Sequence, residues 1–228
     1  MRPVDKGTCP YEAISKYQEA KDFLLQRIDE YCSYCEMQLS SGLAVEHVQP
    51  KSRHHDKGCK WENLLLACFQ CNSTKGNTDI NDNNINNYLW PDIHNTFLAL
   101  QYSEAGVVSV NSSLNPDIQS KAQRLISLVG LDKTPDAVND NSDKRWIKRK
   151  EAWEKAKIAK ERIQKCNCEE MRSQVADTAK ACGFFSIWMT VFSNDADMKT
   201  RFIRKFHGTA CNAFDPQGNP IQRTSKDI

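Results

Sequence analysis

Cys32-Ser33-Tyr34-Cys35-Glu36 and Cys68-Phe69-Gln70-Cys71-Asn72 decide how this chain folds. Each is a C-x2-C knuckle, and 33 positions separate Cys35 from Cys68. Two residues between paired cysteines allow a tight turn that aims both sulfurs at one ion, and four thiolates close a tetrahedral zinc site with no open position. A single C-x2-C could equally be a redox pair, since that spacing also lowers thiol pKa. Two of them favour zinc, held by Cys32, Cys35, Cys68 and Cys71. Between the knuckles lie Val45-Glu46-His47-Val48-Gln49-Pro50-Lys51-Ser52 and Trp61-Glu62-Asn63-Leu64, and the second knuckle runs on through Asn72-Ser73-Thr74-Lys75. A carboxylate beside a histidine, a central Asn and an Asn after the last cysteine supply the parts for metal-assisted phosphodiester hydrolysis. A hard ion takes oxygen ligands from a carboxylate and an amide, and a histidine neutral near pH 7 takes a proton from water.

The rest of the chain frames that segment. It has 228 residues, 31 Lys+Arg against 29 Asp+Glu, and ten cysteines, with a mean hydropathy of −0.65. These values exclude a collagen, a wholly disordered chain and a polytopic membrane protein. The N-terminus has no apolar run of the secretory type, so the expectation is a cytoplasmic chain whose cysteines bind metal or pack in cores. Pro10 and the spacing of Ile14, Tyr17, Phe23, Leu24 and Ile28 predict a helix over 10–31. Asn-rich composition from Asn77 to Asn87 predicts a loop. A hairpin follows, with one strand through Phe97, Ala99 and Gln101, a turn at Ser103 to Gly106, and a return over Val107 to Val110. Helices are expected from Pro116 to a stop at Gly130, then over 142–165, 169–182, 184–192 and 198–206, with a break at 134–143 and a loose tail over the last fifteen residues. The fold class is α+β: a small zinc-stapled module within a mainly α-helical chain. Its expected divisions are an N-terminal helix 1–31, the module 32–90, a hairpin 91–115 and a helical region 116–228.

Taken together, Cys32-x-Tyr34-Cys35-Glu36, Glu46-His47-x-x-Pro50-Lys51-Ser52, Trp61-x-Asn63-Leu64 and Cys68-x-x-Cys71-Asn72-x-x-Lys75 resemble the HNH endonucleases. These have a ββα-metal fold, here with a four-cysteine zinc clamp. More narrowly, the pattern is similar to the HNH proteins of retron and Septu anti-phage defence systems. The resemblance implies that His47 is the general base and that Glu46 and Asn72 hold the catalytic Mg²⁺ or Mn²⁺. It implies further that Asn63 pins the ββα loop, that Lys75 contacts the phosphate, and that the four cysteines hold structural Zn²⁺. Asn72 stands where many HNH enzymes have a second His, and Glu46 where many have Asp. The implied substrate is nucleic acid, DNA ahead of RNA. The implied partners are an ABC/SMC-like ATPase and a reverse transcriptase with its retron nucleic acid, with no membrane involved.

Two other readings stand beside this one: an HNH-type ribonuclease, and a non-catalytic zinc-stapled module that binds nucleic acid or protein. From Lys144 to Lys165 there are ten cations against three anions, whereas Ser40 to Ile80 has five against four. The basic segment is an electrostatic footprint for phosphate backbones or a solvated face toward a partner protein. Cys9, Cys59, Cys182 and Cys211 are expected as small buried hydrophobes, and Cys166-Asn167-Cys168 has poor zinc spacing. His54 and His55 are expected in an exposed loop, and His94 and His207 belong to no constellation. Trp188 with Phe184, Phe185, Ile187, Val191 and Phe192 reads as core.

Overall fold

A computed structural model describes residues 1–10, 14–134, 143–223 and 228. Part of the expected first helix, most of the break before the basic helix, Ser142 and residues 224–227 lie outside the described residues. The first helix is shorter than its periodicity predicts. A 3-10 turn at Tyr17–Glu19 leads into α1 (Ala20–Ile28), which buries Ala20, Leu24 and Ile28, one face at i, i+4, i+8.

The knuckles meet because the chain between them doubles back. β1 (Ala44–His47) pairs antiparallel with β2 (Leu64–Ala67), with Ala44 opposite Ala67 and His47 opposite Leu64. β2 is buried along its whole length, which its unbroken apolar run Leu64-Leu65-Leu66-Ala67 allows. It delivers Cys68, whose sulfur accepts from Cys71 N and starts α2 (Phe69–Lys75). This β1-β2-α2 unit is the expected ββα arrangement.

Asn95 caps a helical turn, α3 (Thr96–Ala99), by accepting from the Phe97 and Leu98 N–H groups. The expected strand through Phe97 and Ala99 therefore begins only at Leu100, and the hairpin consists of β3 (Leu100–Tyr102) and β4 (Val108–Val110). α4 (Pro116–Val129) has the predicted boundaries. The Asn115 side chain accepts from Ile118 N, Pro116 occupies the first turn, and Gly130 closes it at φ 66°. Four helices follow: α5 (Arg145–Lys165), α6 (Glu169–Cys182), α7 (Phe185–Val191) and α8 (Ala196–Lys205). α8 starts two residues early because Asp195 accepts from Met198 N.

Two large apolar clusters result, with a small third of Ala152, Phe184 and Ile187. One joins α1, β1, β2, α2, the hairpin and α4; the other is the aromatic core of α5 to α8, which also takes in Tyr31. The two are bolted together at both knuckles. The buried Glu36 carboxylate accepts from Ser186 N (2.8 Å) and Ser186 Oγ (2.5 Å) at the start of α7. Arg145, at the start of α5, donates to Cys71 Sγ (2.9 Å) and to the Val129 and Gly130 carbonyls at the end of α4. The described part of the C-terminal tail is not loose. Asn95 Nδ2 donates to the Ala213 and Ile221 carbonyls, Phe214 bridges Pro220, and Arg223 reaches the Val4 and Pro91 carbonyls. Among the described residues no helix is long and apolar enough to cross a membrane.

Candidate active site beside a four-cysteine metal centre

The sulfurs of Cys32, Cys35, Cys68 and Cys71 are all buried and lie within 4.8 Å of one another. Cys35 Sγ and Cys68 Sγ are 3.7 Å apart, close to the edge of about 3.8 Å that a tetrahedron with Zn–S bonds of about 2.3 Å requires. The thiols also crowd one another electrostatically. Hydrogen bonds from Cys32, Cys35 and Cys71 hold the Cys68 thiol far below its ordinary pKa, while the bond with Cys32 pushes Cys35 up and burial pushes Cys71 up. A divalent ion removes that conflict by taking all four as thiolates. Donor set and spacing therefore fit structural zinc, and Arg145 on Cys71 Sγ is the kind of outer contact that orients a ligand.

Next to this centre, a cavity of about 470 Å³ opens against β1, the Pro50–Ser52 turn and α2. Glu46, His47 and Asn72 share its lining, so the three residues that the spacing grouped do converge. β1 is exposed at Ala44 and buried at its last two residues, Glu46 and His47. His47 Nε2 lies 2.9 Å from the Gly58 carbonyl, and the Tyr17 ring meets the imidazole edge-on at 4.8 Å. Burial lowers the His47 pKa, with the Gly58 carbonyl working in the opposite direction. Asn63 is buried and makes the expected brace: Oδ1 accepts from Gln49 N (2.7 Å), while Nδ2 donates to the Gln49 and Lys57 carbonyls (2.9 and 3.1 Å).

Lys75 departs from the expectation that it contacts phosphate. It is 2 % exposed, its Nζ is 2.7 Å from Glu46 Oε1, and it donates to the His47 carbonyl at 2.7 Å. The helical geometry explains this: Cys71 and Lys75 are i, i+4 on α2, so the face that buries the cysteine buries the lysine. The other oxygen, Glu46 Oε2, accepts from the buried Tyr34 hydroxyl at 2.6 Å. Burial and the Glu46 charge hold Tyr34 protonated, well above its ordinary pKa. Tyr34 sits inside the first knuckle, but nothing in its spacing marked it as a partner of Glu46.

The cations of α5 divide. Arg145 and Arg149 are buried, Lys148 pairs with Glu151, Lys157 with Glu104, and Lys160 donates to the Val191 carbonyl. Lys144, Lys150, Lys155, Arg162 and Lys165 are exposed. The scattered cysteines are less buried than expected: Cys9, Cys59 and Cys182 are intermediate and Cys211 exposed. Cys166 and Cys168 sit at the surface end of α5 with sulfurs 3.8 Å apart. His55 is exposed and His54 half-buried, His94 Nδ1 accepts from Trp90 N, and His207 is exposed.

Residues 32–78 match the HNH endonuclease family. That stretch, an HNH domain, takes in both knuckles, β1, β2 and α2. Over 59 residues the chain is 39% identical to the Septu protein PtuB of Bacillus thuringiensis, a stretch amounting to 25% of this chain and 23% of that protein. The matched stretch is about a quarter of either chain, and that relative is of the Septu type that the motifs resemble.

Proposed function

We propose that the chain is a metal-dependent endonuclease that cleaves nucleic acid, DNA by preference, as the effector of an anti-phage defence complex. The wall shared by Glu46, His47 and Asn72, with His47 tied to the Gly58 carbonyl, carries this reading. A carbonyl only accepts, so Nε2 holds the proton and the neutral ring keeps its lone pair on Nδ1. Because burial lowers the His47 pKa, the ring is neutral at pH 7. Nδ1 takes a proton from the attacking water as the new oxygen–phosphorus bond forms and the bond to the leaving 3′ oxygen breaks. Asn63 braces the Gln49 and Lys57 backbone, next to the Gly58 that orients the imidazole.

Glu46 and Asn72 would hold Mg²⁺ or Mn²⁺, since each Glu46 oxygen keeps a lone pair beyond its bond to Lys75 or Tyr34. When bound, such an ion supplies Lewis-acid stabilisation of the leaving oxygen. Lys75 offsets the Glu46 charge, so the pocket offers a free cation little net negative charge, and the ion would bind together with a phosphate-bearing substrate. The likeness to a Septu protein supports a defence complex. Its partners in this reading are an ABC/SMC-like ATPase and, by the retron resemblance, a reverse transcriptase with its nucleic acid. The exposed cations of α5 form the docking face.

The same Glu46–Lys75 pair favours a second reading, a zinc-stapled binding module without chemistry. The two separate in one experiment. Wild type and His47→Ala are incubated with plasmid, single-stranded DNA and total RNA, with Mg²⁺ or Mn²⁺ and the ATPase present. Cleavage of DNA by wild type and a fall of at least about 100-fold in the variant are expected, as for loss of a general base. Equal rates would remove His47 from catalysis. No cleavage by either, with no Mn²⁺ bound near Asn72 in the presence of nucleic acid, supports the binding module.

A further inference from the structure

With Lys75 committed to Glu46, the pocket needs other groups to hold a phosphate, and two cations face it. Lys51 follows Pro50 in the turn after β1, and its Nζ stands 3.9 Å above the centroid of the Tyr17 ring. Lys21 comes from α1, and both lysines line the cavity with Glu46, His47 and Asn72. The lysines are placed differently from Lys75: Lys51 is exposed and Lys21 half-buried. The Glu46 charge is already matched by Lys75 beneath it, so the charges of Lys21 and Lys51 are in excess and the cavity favours an anion. Tyr17 serves two neighbours at once, the Lys51 ammonium on its face and the His47 imidazole against it. A flexible lysine seated on an aromatic face has given up part of its rotamer freedom before substrate arrives. Tyr17 and Lys21 lie upstream of residues 32–78, outside the matched HNH domain.

We propose that Lys51 on the Tyr17 ring, together with Lys21, forms the phosphate-binding wall of the pocket, with Tyr17 as a positioning residue supplied from outside the HNH domain. The wall grips the nucleic-acid backbone beside the scissile bond and reads no base. The proposal rests on the nuclease reading of Glu46, His47 and Asn72, and its test runs on binding so that the two can fail separately.

In a His47→Ala background, the affinity of full-length protein for a fluorescein-labelled DNA duplex is measured against salt concentration by anisotropy, without added divalent ion. Zinc content and thermal melting report on folding. Each phosphate contact adds about one unit to the slope of log affinity against log salt. Lys51→Met and Lys21→Met are each expected to remove about one unit and to weaken binding several-fold, while Lys51→Arg keeps the slope. Tyr17→Ala lowers affinity in the same direction, and Tyr17→Phe, which retains the ring, restores it. In the catalytic background Lys51→Met raises KM more than it lowers kcat. An unchanged slope in Lys51→Met, in a fold with full zinc, overturns the wall. A wild type that fails to cleave while Lys51→Met still loses slope overturns the nuclease reading and leaves the wall standing.

Discussion

Around β1, β2 and α2 the chain buries Glu36, Glu46, Gln49, Asn63 and Lys75. Around α6, α7 and α8 it buries Phe185, Trp188, Phe192, Phe202 and Phe206. The second region is held by non-directional burial and ring packing, with Phe185 against Phe206 and Phe192 against Phe202, both at 5.3 Å. The first relies on groups whose burial is unfavourable unless every partner is in place. An apolar core tolerates small displacements, whereas a braced polar site holds His47, Asn63 and Glu46 in one arrangement. The HNH module therefore takes its order from directional bonds around the four-cysteine centre, and the helical half supplies the bulk against which it is set.

Removing the metal should break that comparison most visibly. Zinc in small finger peptides contributes on the order of 10 kcal/mol of apparent folding energy, comparable with a typical domain's whole margin. Stripping zinc with a strong chelator is expected to release amide protection in β1, β2 and α2 while α6 to α8 keep theirs. Hydrogen exchange with and without metal reads this directly. Simultaneous loss in both regions would mean that the bolts at Glu36–Ser186 and Arg145–Cys71 make one cooperative unit.

A smaller effect sharpens the contrast in kind. Lys75→Met leaves the Glu46 charge buried without its partner, a change expected to destabilise the zinc-loaded protein by about 3–5 kcal/mol. Adding Glu46→Gln should recover much of that loss, because the orphaned charge is gone. Phe202→Ala is expected to lose a similar amount, about 3–5 kcal/mol, through the cavity it leaves between Trp188 and Phe192. There a second truncation beside it should add to the loss. Denaturant midpoints of the singles and doubles decide it: recovery in the first pair and accumulation in the second are the expected signs, and accumulation in both would remove the distinction.

How much of this could be read in advance follows from the range of each signal. The cysteine pairs, Glu46-His47, Asn63 and Asn72 carry their chemistry in residue type and spacing, and the caps of α4 are spelled out by Asn115-Pro116 and Gly130. Lys75 reads as a phosphate contact because the letter Lys announces a charge and says nothing about which face of α2 the cysteines bury. Tyr34 and Tyr17 are common aromatics whose partners, Glu46 and His47, are set by tertiary contact alone. The tail reads as loose for the same reason: Pro, Gly and Gln speak to local flexibility, while the bonds from Asn95 to Ala213 and Ile221 span more than a hundred residues. In α5 the charge total does not separate the buried Arg145 and Arg149 from the exposed lysines.

The smallest expected effect concerns the bolt itself. Asp143 is buried, and burial alone would raise its pKa, but the Arg145 guanidinium, bonded to both carboxylate oxygens at 2.6–3.1 Å, outweighs this and holds it below the ordinary carboxylate value. A carboxylate lowered on folding contributes stability that is present above its unfolded pKa of about 3.9 and is lost as pH falls through the lower folded value. The Asp143–Arg145 pair should therefore act at neutral pH and fade in acid. Asp143→Asn is expected to be less stable than wild type near neutral pH, with the gap between their urea midpoints closing as pH falls below about 4. Because Arg145 also donates to Cys71 Sγ, the variant should retain zinc less firmly against a competing chelator at neutral pH. A gap that stays constant with pH would show that Asp143 positions Arg145 by shape and not by charge, and the second knuckle would then be held in the way the aromatic half is held.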